Sequence, residues 1–261
     1  MTTRPARPRA LSLFALPGIP MVQPGDDLAV LIQEGFARAG EAAVAGDVLV
    51  VAQKIVSKSE GRYASLARVE PGRQARELAA QTDKDPRMVE LILGESRRVV
   101  RHRPGVIIVE HRLGFVMANA GIDNSNVEPA EGDERVLLLP RDPDGSARRL
   151  RAGLRDRLGA DCAVIVNDSV GRAWRIGTVG LALGAAGLPS LLDLRGRDDL
   201  FGRPLEVTQV GLADELAAAA SLLHGEADEG MPVVVVRGLS PAGPGNDGAA
   251  LIRDEADDLF R

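Results

Sequence analysis

The chain has 261 residues, of which 45% are apolar and 26% charged, and a formal net charge of −5. That balance is ordinary for a globular protein long enough to bury a full core, and its acidity gives no support to nucleic-acid binding: Arg-rich stretches such as GESRRVVRHR and SARRLRAGLRDR are offset by acidic residues elsewhere and read as solvated faces. A single cysteine, Cys162, excludes an internal disulfide or a cysteine zinc cluster, and His102, His111 and His224 lie far apart without HExxH spacing.

In chain order, MTTRPARPRALSLFALPGIP pairs basic residues with a short apolar run that Pro17 and Pro20 interrupt. With no small-residue cleavage site it reads as a flexible N-terminus, residues 1–15, leading into a first strand rather than as a signal peptide. No run approaches the ~18 apolar residues of a membrane span, so the default expectation is a cytoplasmic protein. GDVLVVAQKIV, β-branched behind a Gly-Asp turn, predicts a strand. Only three of the 32 basic residues are lysine, yet Lys54 and Lys58 fall in one five-residue window. A compact ammonium suits nucleotide phosphates, although chance explains the pair equally well.

PGRQARELAAQTD and DPRMVELILGES predict helices, with Asp85 as an N-cap for the second. RVVRHRPG, VIIVEHRLG and FVMANAGID predict an antiparallel meander. DGSARRLRAGLRDRLG predicts an amphipathic helix closed by Gly159, feeding a buried strand, CAVIVNDSVGR, that ends at Asn-Asp-Ser-Val-Gly. LADELAAAASLLHGEADEG predicts a helix ending near Gly225 whose small-residue face implies close packing, within the chain or across a dimer; MPVVVVRG predicts a buried strand. The tail, residues 241–261, opens as a Pro-Gly loop and then reads as acidic and helical. Meander strands beside helices argue for α+β or mixed α/β architecture, antiparallel-rich, rather than a Rossmann or P-loop fold. No Gly-Lys pair occurs, which excludes a Walker A loop, and Gly180, Gly184 and Gly187 in GLALGAAG have the wrong spacing for GxGxxG and read as close backbone packing.

The segment FVMANAGIDNSNVEPAEGD places Asp123, Asn124, Ser125, Asn126 and Glu128 just past a strand. These are turn-forming residues, and they are also the oxygen donors that hard cations prefer. Asp168 and Ser169 after one strand, and Glu226 and Glu229 after a helix, repeat the pattern; spacing alone does not show that the three clusters meet. Trp174 reads as a core anchor or, with Arg172, as a pocket wall. His102 and His111 read as surface or satisfied histidines, and Cys162 as a packed, inert thiol.

The ordered blocks LPGIPMVQPGDDL, VVAQKIVSKSEGR, ANAGIDNSNVEP, NDSVGRAWRIG, GRDDLFGRPLEV and ADELAAAASLLHGEADEGMPVVVVRG, from about Leu16 to Leu239, resemble the coenzyme F-420:L-glutamate ligase family. The resemblance implies a catalytic unit over residues 16–240, built as one unit or two intertwined subdomains, in the stand-alone form without the second, flavin-binding domain of some actinobacterial relatives. It implies GTP-dependent addition of L-glutamate to the F-420 precursor through an acyl phosphate, two Mg²⁺ or Mn²⁺ ions, a potassium requirement left open, and a homodimer. It places the metal on Asp123, Asp168, Ser169 and Glu226, with Lys58, Asp123 and Asp168 as the catalytic set. It places GTP against Leu16, Pro17, Gly18, Ile19, Gln53, Lys58, Asn126 and the loop His224, Gly225, Glu226, Ala227, Asp228, Glu229, Gly230, Met231. Gln53 stands where the family often has serine and Glu226 where it has glutamine, so metal preference and GTP affinity are the properties these departures touch. A ligase for another acceptor, a metal-dependent nucleotide phosphohydrolase, and a nucleotide-binding protein without catalysis remain alternatives.

Overall fold

The computed structural model describes residues 10–125, 127, 134–239 and 243–259. In chain order they form β1 (Ser12–Ala15), α1 (Leu28–Ala39), β2 (Val48–Ala52), α2 (Gln53–Ser59), β3 (Tyr63–Ser65), α3 (Arg73–Thr82), α4 (Pro86–Gly94), β4 (Ser96–Arg103), β5 (Val106–His111) and β6 (Val116–Ala118). There follow β7 (Arg135–Leu137), α5 (Pro143–Leu158), β8 (Ala163–Gly171), β9 (Thr178–Ala186), β10 (Leu191–Asp193), β11 (Gln209–Gly211), α6 (Leu212–His224) and β12 (Val233–Arg237).

The central sheet runs β1-β12-β2-β8-β9, with β2 and β8 parallel and every other pair antiparallel. Leu49, Val51, Val164, Val166, Val233 and Val235 face α1 and α5, where they meet Ile32, Phe36, Leu150 and Leu154. Val48, Val50, Ile165, Val234 and Val236 face α6, where they meet Leu212, Leu216 and Ala217. Helices on both faces explain why these strands read as unbroken valine runs rather than as alternating patterns. The architecture is therefore mixed α/β and antiparallel-rich, as expected.

A second core joins α3 and α4 to the meander β4-β5-β6 through Leu78, Val89, Ile92, Ile107 and Val109. Asp85 caps α4, its carboxylate accepting from the Arg87 amide at 2.8 Å. The glycines of β9 are close-packed. A methyl on Gly180 would lie 2.2 Å from Ser221 Oγ and 2.4 Å from the Ala217 carbonyl, so α6 rests directly on the strand. The small face of that helix is thus accounted for inside the chain.

Several expectations need correction. GDVLVVAQKIV is a strand only as far as Ala52; Gln53–Ser59 turns into a helix that buries Ile55 and Val56. Asp168 and Ser169 do not follow β8 but lie within it, paired to Leu181 and Gly180 of β9 beyond a bulge at Val166/Asn167. Trp174 is no core anchor: it sits at the β8–β9 turn with φ of 67° and 88% exposure. Ser12–Ala15, within the segment expected to be flexible, pair with β12 in the central sheet. The tail is helical, as expected, in the form of two short 3₁₀ turns, Gly248–Leu251 and Glu255–Asp257. Asp144 accepts from the Gly248 and Ala249 amides, which holds the first of these turns on the body. Among the described residues no helix is long and apolar enough to cross a membrane.

Candidate functional site

The sheet topology brings distant sequence blocks to one edge. β2 and β8 run parallel with Ala52 opposite Asn167, so β2 ends there while β8 carries Asp168 and Ser169 on past it. β12 runs antiparallel with Val233 opposite Val51, which brings its amino end to the same place. β1 pairs with β12 so that Ala15 meets Val234, and the chain leaves β1 there too. Crevices at the carboxyl ends of parallel strands are where α/β sheets bind ligands. Here the crevice is a cleft of about 440 Å³, reached by Ile19 from the segment after β1, Gln53 and Lys58 from α2, Asp123, Asp168 and Ser169, and the whole loop from His224 to Met231.

Of the Leu16–Ile19 block, only Ile19 lines this cleft, followed by Pro20, Met21 and Val22. Leu16 is fully buried in the core, and the Gly18 carbonyl accepts from Arg38 Nη1 at 2.8 Å, with φ of 69° at Gly18. Leu16, Pro17 and Gly18 are thus outside the lining, in the turn that leads to Ile19. Asn126 lies outside the described residues.

Asp123 is set by a short irregular segment. A 3₁₀ turn with Asn119 and Ala120 at positive φ leads into an isolated bridge, in which Asp123 and Leu137 exchange both backbone hydrogen bonds at 3.0 and 2.8 Å. Its carboxylate receives the Lys54 ammonium at 2.8 Å on Oδ2 and the Ser125 amide at 2.6 Å on Oδ1. Burial alone pushes the Asp123 carboxyl up, but Lys54 and Ser125 outweigh it and hold it below its ordinary value. Asp168 has no such partner among the described residues. Burial, with the Asp123 and Glu226 carboxylates nearby, pushes it up to about 7, against the backbone bond from Ser169 and the more distant charge of Lys54. Ser169 Oγ donates to Glu226 Oε2 at 3.0 Å, joining β8 to the loop after α6.

That loop is internally braced. Gly225 has φ of 71° and Glu229 folds back over it, accepting from the Ala227 amide at 2.9 Å. His224 is fixed by both ring nitrogens. Nε2 lies 3.2 Å from the Val50 carbonyl, which can only accept, so Nε2 carries the proton and Nδ1 accepts from Asn167 Nδ2 at 3.1 Å. Burial lowers the His224 pKa, in keeping with this neutral ring. Both ring nitrogens are thus engaged within the chain, at the end of α6. Asn167 Oδ1 is buried without a hydrogen-bond partner among the described residues. Gln53 Oε1 accepts from Ser57 Oγ at 2.9 Å, and the Lys58 side chain is buried one helical turn beyond Lys54 on the cleft wall.

Sequence reasoning leaves Lys54, Ser125, Asn167 and Ser221 out of the site, although all are in the cleft lining. The rarity of lysine points at Lys54 and the oxygen-rich run after Ile122 points at Ser125; nothing local signals Asn167 or Ser221. Among the described residues no three His, Cys, Asp or Glu side chains close on one point tightly enough to hold a metal ion by themselves.

This arrangement defines a class: a mixed α/β protein whose sheet edge carries a small-molecule cleft lined by ammonium groups on one helix and by oxygen donors from three other segments. A family model described as "F420-0:Gamma-glutamyl ligase" matches residues 18–238, and the chain belongs to that family. It is 47% identical over 253 residues to a protein of Methanothermobacter thermautotrophicus, covering 96% of this chain and 99% of the relative. It is 50% identical over 245 residues to one of Methanopyrus kandleri, covering 92% and 93%. With one of Archaeoglobus fulgidus it shares 43% over 251 residues, covering 96% of each. All three are named "Coenzyme F420:L-glutamate ligase".

Proposed function

We propose that this protein joins L-glutamate to the precursor of coenzyme F-420, using GTP to activate the acceptor's carboxylate. The observation that carries the reading is the meeting of five separated sequence blocks in one cleft, with cationic and carboxylate groups facing each other across it, in a chain of this family. Forming an amide from a carboxylate requires a leaving group on the acyl carbon. In the proposed sequence an acceptor carboxylate oxygen attacks the γ-phosphorus and GDP departs. The amine of glutamate then attacks the acyl carbon, loses a proton, and phosphate leaves. Both steps move charge over oxygens, so the protein contributes positioning and electrostatics and no covalent nucleophile.

Lys58 is the proposed phosphate-binding cation. Asp123, Asp168, Ser169 and Glu226 are the proposed holders of two Mg²⁺ or Mn²⁺ ions, and they fit hard cations: all are oxygen donors, and Asp168 sits beside like charges that a cation would relieve. That no three acids among the described residues form a closed cage agrees with Mg²⁺ practice, in which one or two carboxylates share the ion with water and substrate phosphates. When bound, such ions neutralise the phosphate oxygens. Ser169, by donating to Glu226, keeps that carboxylate turned toward Asp168's strand. His224 and Asn167 hold the loop carrying Glu226 against β8. The same proposal includes a homodimer, consistent with the exposed Trp174, Ile176, Leu200 and Phe201, and a cytoplasmic location.

Mass spectrometry after incubation with GTP, Mn²⁺, L-glutamate and F-420 lacking glutamate tests the reading, with each component omitted in turn. Product heavier by glutamyl residues only in the complete mixture is expected. GTP consumed equally well without glutamate and acceptor would replace the ligase by a phosphohydrolase.

A further inference from the structure

Lys54 has no part in the scheme above, yet it is among the most fully engaged polar groups of the cleft. Its ammonium donates to Asp123 Oδ2 at 2.8 Å, to Ser125 Oγ at 2.8 Å and to the Ser125 carbonyl at 3.1 Å. An ammonium has three protons and here meets three oxygens, much as a small bound cation would. The other oxygen of Asp123 is taken by the Ser125 amide at 2.6 Å. Both carboxylate oxygens of one proposed cation ligand are thus occupied by the protein itself.

The pair is open to whatever enters. Lys54 and Asp123 are 24% and 28% exposed, and both line the cleft. Asp168 and Glu226 face the same space, and among the described residues neither has an ammonium of its own; Glu226 receives the Ser169 hydroxyl. A partly exposed ion pair is a weak bond, whereas a triphosphate offers a compact ammonium several charged oxygens at once. A polyphosphate is therefore able to draw Lys54 off Asp123, and the carboxylate so released is a hard-cation ligand.

We infer that Lys54 is an internal counter-ion that keeps Asp123 closed to a cation until a phosphate-bearing nucleotide takes its ammonium, so that cation and nucleotide bind cooperatively through this one side chain. The inference rests on the nucleotide and cation reading proposed above and adds to it an order of events. Coupling of this kind is reciprocal: the factor by which nucleotide tightens the cation equals that by which the cation tightens nucleotide. If Lys54 were a tether alone, its removal would loosen the Asp123 segment and weaken both ligands.

The test uses Lys54→Met and Lys54→Arg in the full chain, with Mn²⁺ binding followed by electron paramagnetic resonance without nucleotide. A fluorescent GTP analogue is then titrated with EDTA and with saturating Mn²⁺. Lys54→Met is expected to bind Mn²⁺ alone about three- to tenfold more tightly than wild type, to bind the analogue more weakly in EDTA, and to show a correspondingly altered coupling factor; Lys54→Arg, which keeps the charge, stays near wild type for Mn²⁺ alone. Unchanged or weaker Mn²⁺ binding in a folded Lys54→Met protein would overturn the inference while leaving the proposed function standing. Wild type that binds neither Mn²⁺ nor the analogue would overturn both. Should Lys54→Met melt well below wild type, Lys54→Gln serves for the same titrations.

Discussion

Asp168→Asn should abolish the proposed ligation and at the same time make the metal-free protein more stable at alkaline pH. A carboxyl that ordinarily titrates at 3.8 titrates here at about 7, raised first by burial and then by Asp123 and Glu226. Between those two values the folded state keeps a proton that the unfolded chain has lost, so stability falls as pH rises through the window and levels off above it. Each pH unit in the window costs about 1.4 kcal/mol. The penalty is therefore roughly 1.5 kcal/mol at pH 5 and about 4 kcal/mol at pH 8. Asparagine keeps the shape and has no charge to desolvate, so its advantage over wild type should grow by about 2–3 kcal/mol from pH 5 to pH 8. Urea unfolding midpoints of both proteins in EDTA at the two pH values read this directly. Adding Mn²⁺ should shrink the difference by stabilising wild type alone. A gain from Asp168→Asn that is the same at both pH values, or a variant less stable than wild type at pH 8, would refute the reasoning that like charge and burial dominate this site.

Other consequences follow from the packing and charge pattern. Gly184→Ala would set a methyl 2.3 Å from the Pro143 carbonyl carbon and 2.6 Å from the Asp144 amide at the start of α5, and denaturant unfolding should show a loss of roughly 3 kcal/mol or more. Burial alone would raise the Glu95 carboxyl, but the His111 ring 3.7 Å away, the bond from Arg112 and the charge of Arg62 bring it from 4.5 down to about 2. It should contribute about 3 kcal/mol above pH 4.5, lost as pH falls toward 2, and Glu95→Gln should flatten that part of an acid-unfolding curve. Burial, with Asp47 and Asp161 nearby, pushes the Cys162 thiol up to about 11, so an aromatic disulfide reagent at pH 8 should label it only at the rate of unfolding.

Much of the fold is legible from local pattern. The valine runs, the Pro-Gly and Leu-Gly turns of the meander and the Asp85 cap are all visible, because each signal lies within a few residues of its effect. The errors come where local pattern and tertiary context disagree. Gln53–Ser59 is too short to show helical periodicity, and its Ile55-Val56 pair reads as strand. Asn-Asp-Ser at 167–169 looks like a turn, yet β9 supplies pairing partners that keep it extended. A lone tryptophan suggests a core, but Trp174 sits on an exposed turn that leaves the ring in solvent. The oxygen-rich segment from Asp123 is recognisable as unusual, whereas its meeting with Asp168, Ser169 and Glu226 depends on the parallel register of β2 and β8, which no neighbouring residues encode. Lys54 stands out for its rarity, and only the folded chain pairs it with Asp123.

The most direct test of the proposed chemistry follows an oxygen atom. F-420 lacking glutamate is prepared with ¹⁸O in the carboxylate that accepts the amine, then incubated with the protein, GTP, Mn²⁺ and L-glutamate. If that carboxylate attacks the γ-phosphorus and phosphate is later displaced by the amine, each glutamyl residue added to the labelled carboxylate delivers one ¹⁸O into inorganic phosphate. Glutamylated product accompanied by unlabelled phosphate would contradict activation through an acyl phosphate, and unlabelled phosphate without any product would place the oxygen-rich cleft in the service of hydrolysis instead.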